Sequence, residues 1–230
     1  MPLLASRPPS EAAPPPNPAA ARWLAGYYAL LIVAWVGAWS LHDRTPIHGL
    51  SDGARVAYWT VAKALVWIAP VVLIVRFGLK QPVSAYLGLV RFTAGARVGL
   101  VVGMAFVALS ALVDAAARSH AIPRPSWGML SALTVAPLFE ELMFRGFALT
   151  ALEQSGRRFW PANAIAALLF LGLHLPGWLF MGSLGPSQIV VGLSVVVIGL
   201  VAGYARRRAD STWASVIVHF LNNAYAAFVR

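Results

Sequence analysis

Seven apolar runs, each close to the length of a membrane crossing, recur along this chain and leave it few folds to choose from. They lie at about Trp23 to Leu41, Val56 to Val75, Val98 to Ala117, Trp127 to Thr150, Trp160 to Met181, Gln188 to Tyr204 and Thr212 to Val229. A helix rises about 1.5 Å per residue, so 17 to 25 apolar residues cover the roughly 30 Å of hydrocarbon in a bilayer. No water is present there to satisfy an open backbone, and helices close their own hydrogen bonds. The expected fold is therefore all-α, a polytopic transmembrane bundle of about seven spanning helices. Composition agrees, since 59% of the 230 residues are hydrophobic and only 11% are charged.

The formal charge of +10 raises nucleic acid as a partner. The arginines, however, stand singly between apolar runs and form no continuous polar face. We read them as determinants of topology and contacts to anionic lipid, with no nucleic-acid partner. Eleven positive residues fall on one side of the predicted spans, among them Arg22, Arg76, Lys80, Arg91, Arg97, Arg157, Arg158 and Arg206 to Arg208, and five on the other, Arg44, Arg55, Arg118, Arg124 and Arg230. The positive-inside rule then puts the N-terminus in the cytoplasm and the C-terminus outside. The expected location is the plasma (inner) membrane of a bacterium. Cysteine is absent, which removes disulfides, thiol chemistry and thiolate metal ligands.

Residues 1–21 hold seven of the sixteen prolines and read as a disordered tail. Residues 22–125 read as N-terminal transmembrane helices and residues 126–230 as a catalytic helical core. Ser84 to Phe92 is a short amphipathic stretch expected to lie at the membrane interface.

Polar residues at bilayer depth carry the functional argument. A carboxylate or guanidinium there costs about 2.5 to 3.5 kcal/mol on insertion scales, and the fourth run holds Glu140, Glu141 and Arg145 within six positions. On a helix Glu141 and Arg145 stand four apart and can pair, while Glu140 points about 100° away and is left to face something else. The fifth run carries Phe170 and His174, followed by Pro176, which is expected to kink or end the helix just past His174. The seventh carries His219 and Asn223 four apart on one face, with Asn222 about 100° off it. Counted from the predicted cytoplasmic helix ends, Glu140, His174, His219 and Asn223 lie roughly 15, 21, 11 and 17 Å deep. That shared level favours one site over three unrelated polar accidents.

Glu140-Glu141-x-x-x-Arg145, Phe170-x-x-x-His174 and His219-x-x-x-Asn223, in this order on three segments, resemble the motifs of the CPBP family. These are the CAAX-protease and bacteriocin-processing intramembrane proteases, also called the Rce1-like or Abi family. The resemblance covers roughly Ala136 to Asn223. It implies an all-helical intramembrane endopeptidase whose site opens to the cytoplasmic side. It also implies that Glu140 activates water with His174 sharing that role, that His219 and Asn223 steady the oxyanion, and that Glu141 and Arg145 hold the architecture. Phe170 and Asn222 would support these residues. Membrane lipids and a membrane-associated peptide or protein, CAAX-type and prenylated in the family's eukaryotic example, are the implied partners.

Peptide hydrolysis needs a base for water, a proton for the leaving amine and donors where negative charge develops, and these residue types supply all three. The cofactor stays open between none and one divalent metal such as Zn²⁺: Glu140, His174 and His219 can ligate such an ion, while a metal-free glutamate mechanism fits the same residues. Two other functions use the same side chains, a proton-coupled transporter and a non-catalytic immunity or binding protein. Lys63 and Asp114, also at depth, read as snorkelling residues or a mutual pair. His42, His48 and His120 fall in loops. Trp23, Trp127 and Trp160 read as interfacial anchors.

Overall fold

A computed structural model of the chain describes residues 16–114 and 126–229. The tail through residue 15, Arg118, His120, Arg124 and Arg230 lie outside these, as do the side chains of His48 and Asp114. Among the described residues the regular structure is helical, with no strand: α1 (Pro18–Arg44), α2 (Asp52–Gly78), α3 (Val83–Tyr86), α4 (Phe92–Asp114), α5 (Trp127–Leu133), α6 (Val135–Glu141), α7 (Leu149–Gln154), α8 (Phe159–Phe180), α9 (Pro186–Ala209) and α10 (Thr212–Val229).

Five of these helices, α1, α2, α4, α8 and α9, are long and apolar enough to cross a membrane. The protein is an integral membrane protein built as a helical bundle. The other two predicted spans are helical as well, but differ in kind. The fourth is broken into α5, α6, a π-helical stretch Leu142–Ala148 and α7, and α10 is an unbroken 18-residue helix that carries the polar residues His219, Asn222 and Asn223 among its apolar ones.

Several local expectations are corrected. Residues 18–21 do not belong to the tail: Asn17 caps α1 by accepting from the Ala19 N–H at 3.1 Å, and Pro18 sits at the first helical position, where its missing N–H costs nothing. The Asn17 N–H is held in turn by the Gln154 carbonyl at 2.6 Å. Pro176 does not end its helix, which runs on to Phe180. Of the stretch 84–92 only the first turn, to Tyr86, and Phe92, which opens α4, are helical. Tyr86 and Leu87 are buried, Gly88 turns the chain at φ +68°, and its carbonyl accepts from the Thr212 N–H at 2.9 Å.

With so little hydrophobic drive between helices inside lipid, close backbone approach carries much of the packing. Gly95, Gly99 and Gly103 are spaced four apart along α4 and face α10: a Cβ at Gly99 would stand 2.9 Å from the Ala214 carbonyl oxygen, and one at Gly103 would stand 2.6 Å from Leu221. On α9, Gly199 leaves room for Ala167 and for the Arg145 guanidinium, and Gly203 leaves room for Asn163. The Asn163 amide donates to the Leu200 carbonyl at 3.0 Å, joining α8 to α9.

Candidate active site

The acid pair sits where the fourth segment departs most from a regular helix. Pro137 has no N–H to give, and its ring opposes the carbonyl four residues back, at Leu133. The chain answers with a break at Thr134 (φ −117°, ψ −61°), so that α6 starts afresh and delivers Glu140 and Glu141 at its C-terminal end. The π-helical stretch that follows carries Arg145. Such widened turns recur at functional sites.

Glu141 and Arg145 are both fully buried, and Arg145 Nη1 donates to Glu141 Oε1 at 2.9 Å, the pair expected from their spacing. The same oxygen lies 2.8 Å from His219 Nδ1. A carboxylate can only accept, so Nδ1 carries the proton, and the far nitrogen of the ring is directed elsewhere. It points to the other acid: His219 Nε2 is 3.8 Å from Glu140 Oε2. One imidazole therefore stands between two carboxylates.

His174 is fixed differently. Its Nδ1 donates to the Phe170 carbonyl at 2.9 Å, one turn back along α8, which leaves Nε2 as the free nitrogen. The Phe170 ring meets His174 edge-on at 4.8 Å and His219 at 5.7 Å, and the Arg145 guanidinium lies 4.8 Å from its centroid. Phe170, itself buried, thus touches three of the polar residues.

Glu140 and His174 line a cavity of about 330 Å³. Its walls are aromatic, with Trp35, Trp39, Trp59, Trp67 and Trp178 around it. The tryptophans pack on one another, Trp35 against Trp67 at 4.6 Å and Trp39 against Trp59 at 4.5 Å. Asn223 is not at the cavity wall: one amide N–H donates to the Ala132 carbonyl at 3.0 Å, and Asn222 donates to the Asn223 oxygen at 3.2 Å. Of the four residues expected to act, Glu140 and His174 share the cavity, His219 touches Glu140 from behind it, and Asn223 reaches it through Ala132.

The residue that sequence reasoning missed is Lys63. Its Nζ lies 3.6 Å from Glu140 Oε1 and 4.8 Å from the Trp67 ring centroid, and it lines the same cavity. It does not snorkel to the bundle surface, and the expected alternative, a pair with Asp114, falls on a side chain outside the described residues. The signal was present as Trp59-x-x-x-Lys63-x-x-x-Trp67, three residues on one helical face. Here too a π-helical stretch, Ala64–Ile68, follows directly. Trp23, Trp127 and Trp160 are exposed on the bundle surface at 44%, 64% and 61%, unlike the cavity tryptophans.

The ligand set Glu140, His174 and His219 does not assemble as a metal site. Among the described residues no three His, Asp or Glu side chains group closely enough to hold an ion. A cation, the Lys63 ammonium, already stands at Glu140, and His219 gives Nδ1 to Glu141. The residues present do not fit a resident metal.

Fold and site together define an integral membrane helical bundle with a buried acid and imidazole cluster beside an aromatic cavity. Residues 122–225 match the family model described as type II CAAX prenyl endopeptidase, Rce1-like. The match spans all three motifs and bears out the resemblance drawn from them, while α1, α2 and α4 lie outside it. No curated protein and no solved structure matches the chain.

Proposed function

We propose that the chain is an intramembrane endopeptidase of the CAAX-protease type that cleaves a membrane-associated peptide or protein with a water activated by Glu140. The observation that carries this is the placement of Glu140 and His174 on one cavity, backed by an imidazole that touches both acids. The family match over the motif-bearing part supports the protease class.

In this mechanism a water between Glu140 and the free nitrogen of His174 loses a proton to the carboxylate, and its oxygen attacks the scissile carbonyl carbon. The tetrahedral oxyanion takes a hydrogen bond from His219 Nε2–H, the imidazole being doubly protonated between the two acids with its Nδ1–H given to Glu141, while Asn223, held on the Ala132 carbonyl behind the cavity wall, supports that wall. Collapse breaks the C–N bond, and the proton held on Glu140 passes to the leaving amine. Glu141, itself held by Arg145, fixes the His219 ring through its Nδ1–H and keeps α6 against α10. Lys63 fixes the Glu140 carboxylate from the cavity side.

The test is cleavage of membrane-anchored peptides by the full chain in lipid nanodiscs, prenylated and unprenylated, read by mass spectrometry. Cuts that vanish in Glu140→Gln with the protein still folded support the assignment. Cuts of equal rate in that variant remove it, and leave the same residues to a transport or immunity role.

A further inference from the structure

The bundle has two unlike ends, and the cavity belongs to only one of them. At the first end the start of α1 is tied to the end of α7 through Asn17 and Gln154, Arg206 of α9 pairs with Glu153 at 3.0 Å, and Arg91 reaches Asp210 at 3.4 Å. Arg22, Arg76, Lys80, Arg97, Arg157 and Arg158 are all exposed on these same helix ends and turns. At the opposite end Asp52 accepts from the Gly128 N–H at 3.0 Å, and Trp39 stacks on Phe180 at 6.3 Å. Arg44 and Arg55 stand there, Arg55 paired with Asp52 at 3.5 Å.

The cavity runs from Glu140, Lys63 and Trp67 at mid-bundle to Gly128, Val56 and Met181, residues of this second end, which among the described residues carries the fewer cations. Lys and Arg accumulate on the cytoplasmic ends of spans and are scarce on the far side. The basic end is then cytoplasmic, and the cavity faces the other way. The two sequence expectations, a cytoplasmic N-terminus and a site open to the cytoplasm, cannot both hold in this fold.

We propose that the cavity is reached from the extracytoplasmic side. Its substrate is then an apolar peptide segment of an exported or membrane-anchored protein exposed on that face, and a prenylated C-terminus presented in the cytoplasm is excluded. The inference rests on the peptidase reading for what the cavity does, but not for where it opens. A segment arriving from that side meets Trp39, Trp59 and Trp178 before Glu140, which selects apolar side chains flanking the cut.

The chain has no cysteine, so a single introduced thiol reports its own position. Leu184→Cys, exposed in the turn after α8, Val56→Cys, in the cavity wall, and Arg158→Cys, exposed at the basic end, are treated with a membrane-impermeant maleimide in intact cells and again after permeabilisation. The expected result is labelling of Leu184→Cys and Val56→Cys in intact cells and of Arg158→Cys only after permeabilisation. The reverse pattern overturns the proposal, and so does a Val56→Cys thiol labelled only from the cytoplasmic side or from neither side. Labelling reads the orientation whether or not a peptide is cut, so its failure is distinct from failure of the Glu140→Gln assay.

Discussion

The ammonium of Lys63 stands 3.6 Å from one carboxylate oxygen of Glu140, while His219 stands 3.8 Å from the other, so each oxygen of this buried acid faces a different partner from a different helix. Removing one member of a buried ion pair strands the other and costs about 3 to 5 kcal/mol. Lys63→Met should therefore destabilise the protein strongly on its own, and by much less once Glu140 is already glutamine. A thermal or denaturant double-mutant cycle in detergent measures the difference. Equal cost in both backgrounds would show that the two charges do not act as a pair.

Glu140→Gln keeps the shape of the side chain and removes the base, and His174→Ala removes the nitrogen that shares the cavity with it. Each should lower peptide cleavage by about 10² to 10⁴-fold, the usual span for loss of a positioned acid or base. Insertion and helical content, followed by circular dichroism, should be unchanged in the His174 variant.

Arg145 acts on stability. It is fully buried, and among its nitrogens only Nη1 has a hydrogen-bond partner in the described structure, the Glu141 carboxylate at 2.9 Å. Arg145→Met leaves Glu141 as a buried acid with His219 alone and should cost about 3 to 5 kcal/mol. Combining it with Glu141→Gln should recover part of that loss, and folded yield on size-exclusion chromatography follows the recovery.

The glycine stripe of α4 makes a prediction far from any charge. Gly99→Ala drives a methyl against the Ala214 carbonyl and the Ile217 side chain, each 2.9 Å from the new carbon, and should cost about 1 to 3 kcal/mol through overpacking. Gly26→Ala on α1 meets nothing within 4 Å and should be neutral or stabilising by up to about 1 kcal/mol. The two melting temperatures, measured side by side, separate close packing from helix propensity.

How much of this was legible before the structure differs by residue. Glu141 and Arg145 were readable as a pair because both lie on one helix and four-residue spacing decides the matter. The common depth of Glu140, His174 and His219 was readable because rise per residue is fixed and each span starts from the same plane. Lys63 was not assigned to Glu140, because nothing in linear spacing says which face of α2 meets which face of α6. The course of α8 beyond Pro176 was also misread: a proline removes one hydrogen bond, and packing against α1 and α9 was enough to carry the helix on to Phe180. Asn223 shared a face with His219 as its spacing required, yet its amide reaches the Ala132 carbonyl on the fourth segment, a partner that linear spacing along α10 does not reveal. The stripe of Gly95, Gly99 and Gly103 stood in the sequence at regular spacing, but its partner helix is set by tertiary contact alone.

That stripe also limits how far the protein can be cut down. The helix bearing His219 and Asn223 rests its backbone on α4, and the cation beside Glu140 comes from α2, and both supports lie outside 122–225. Excising the motif-bearing half would leave α10 with a bare, unsupported flank and Glu140 without its counter-ion, so a minimised version of this molecule has to retain α2 and α4.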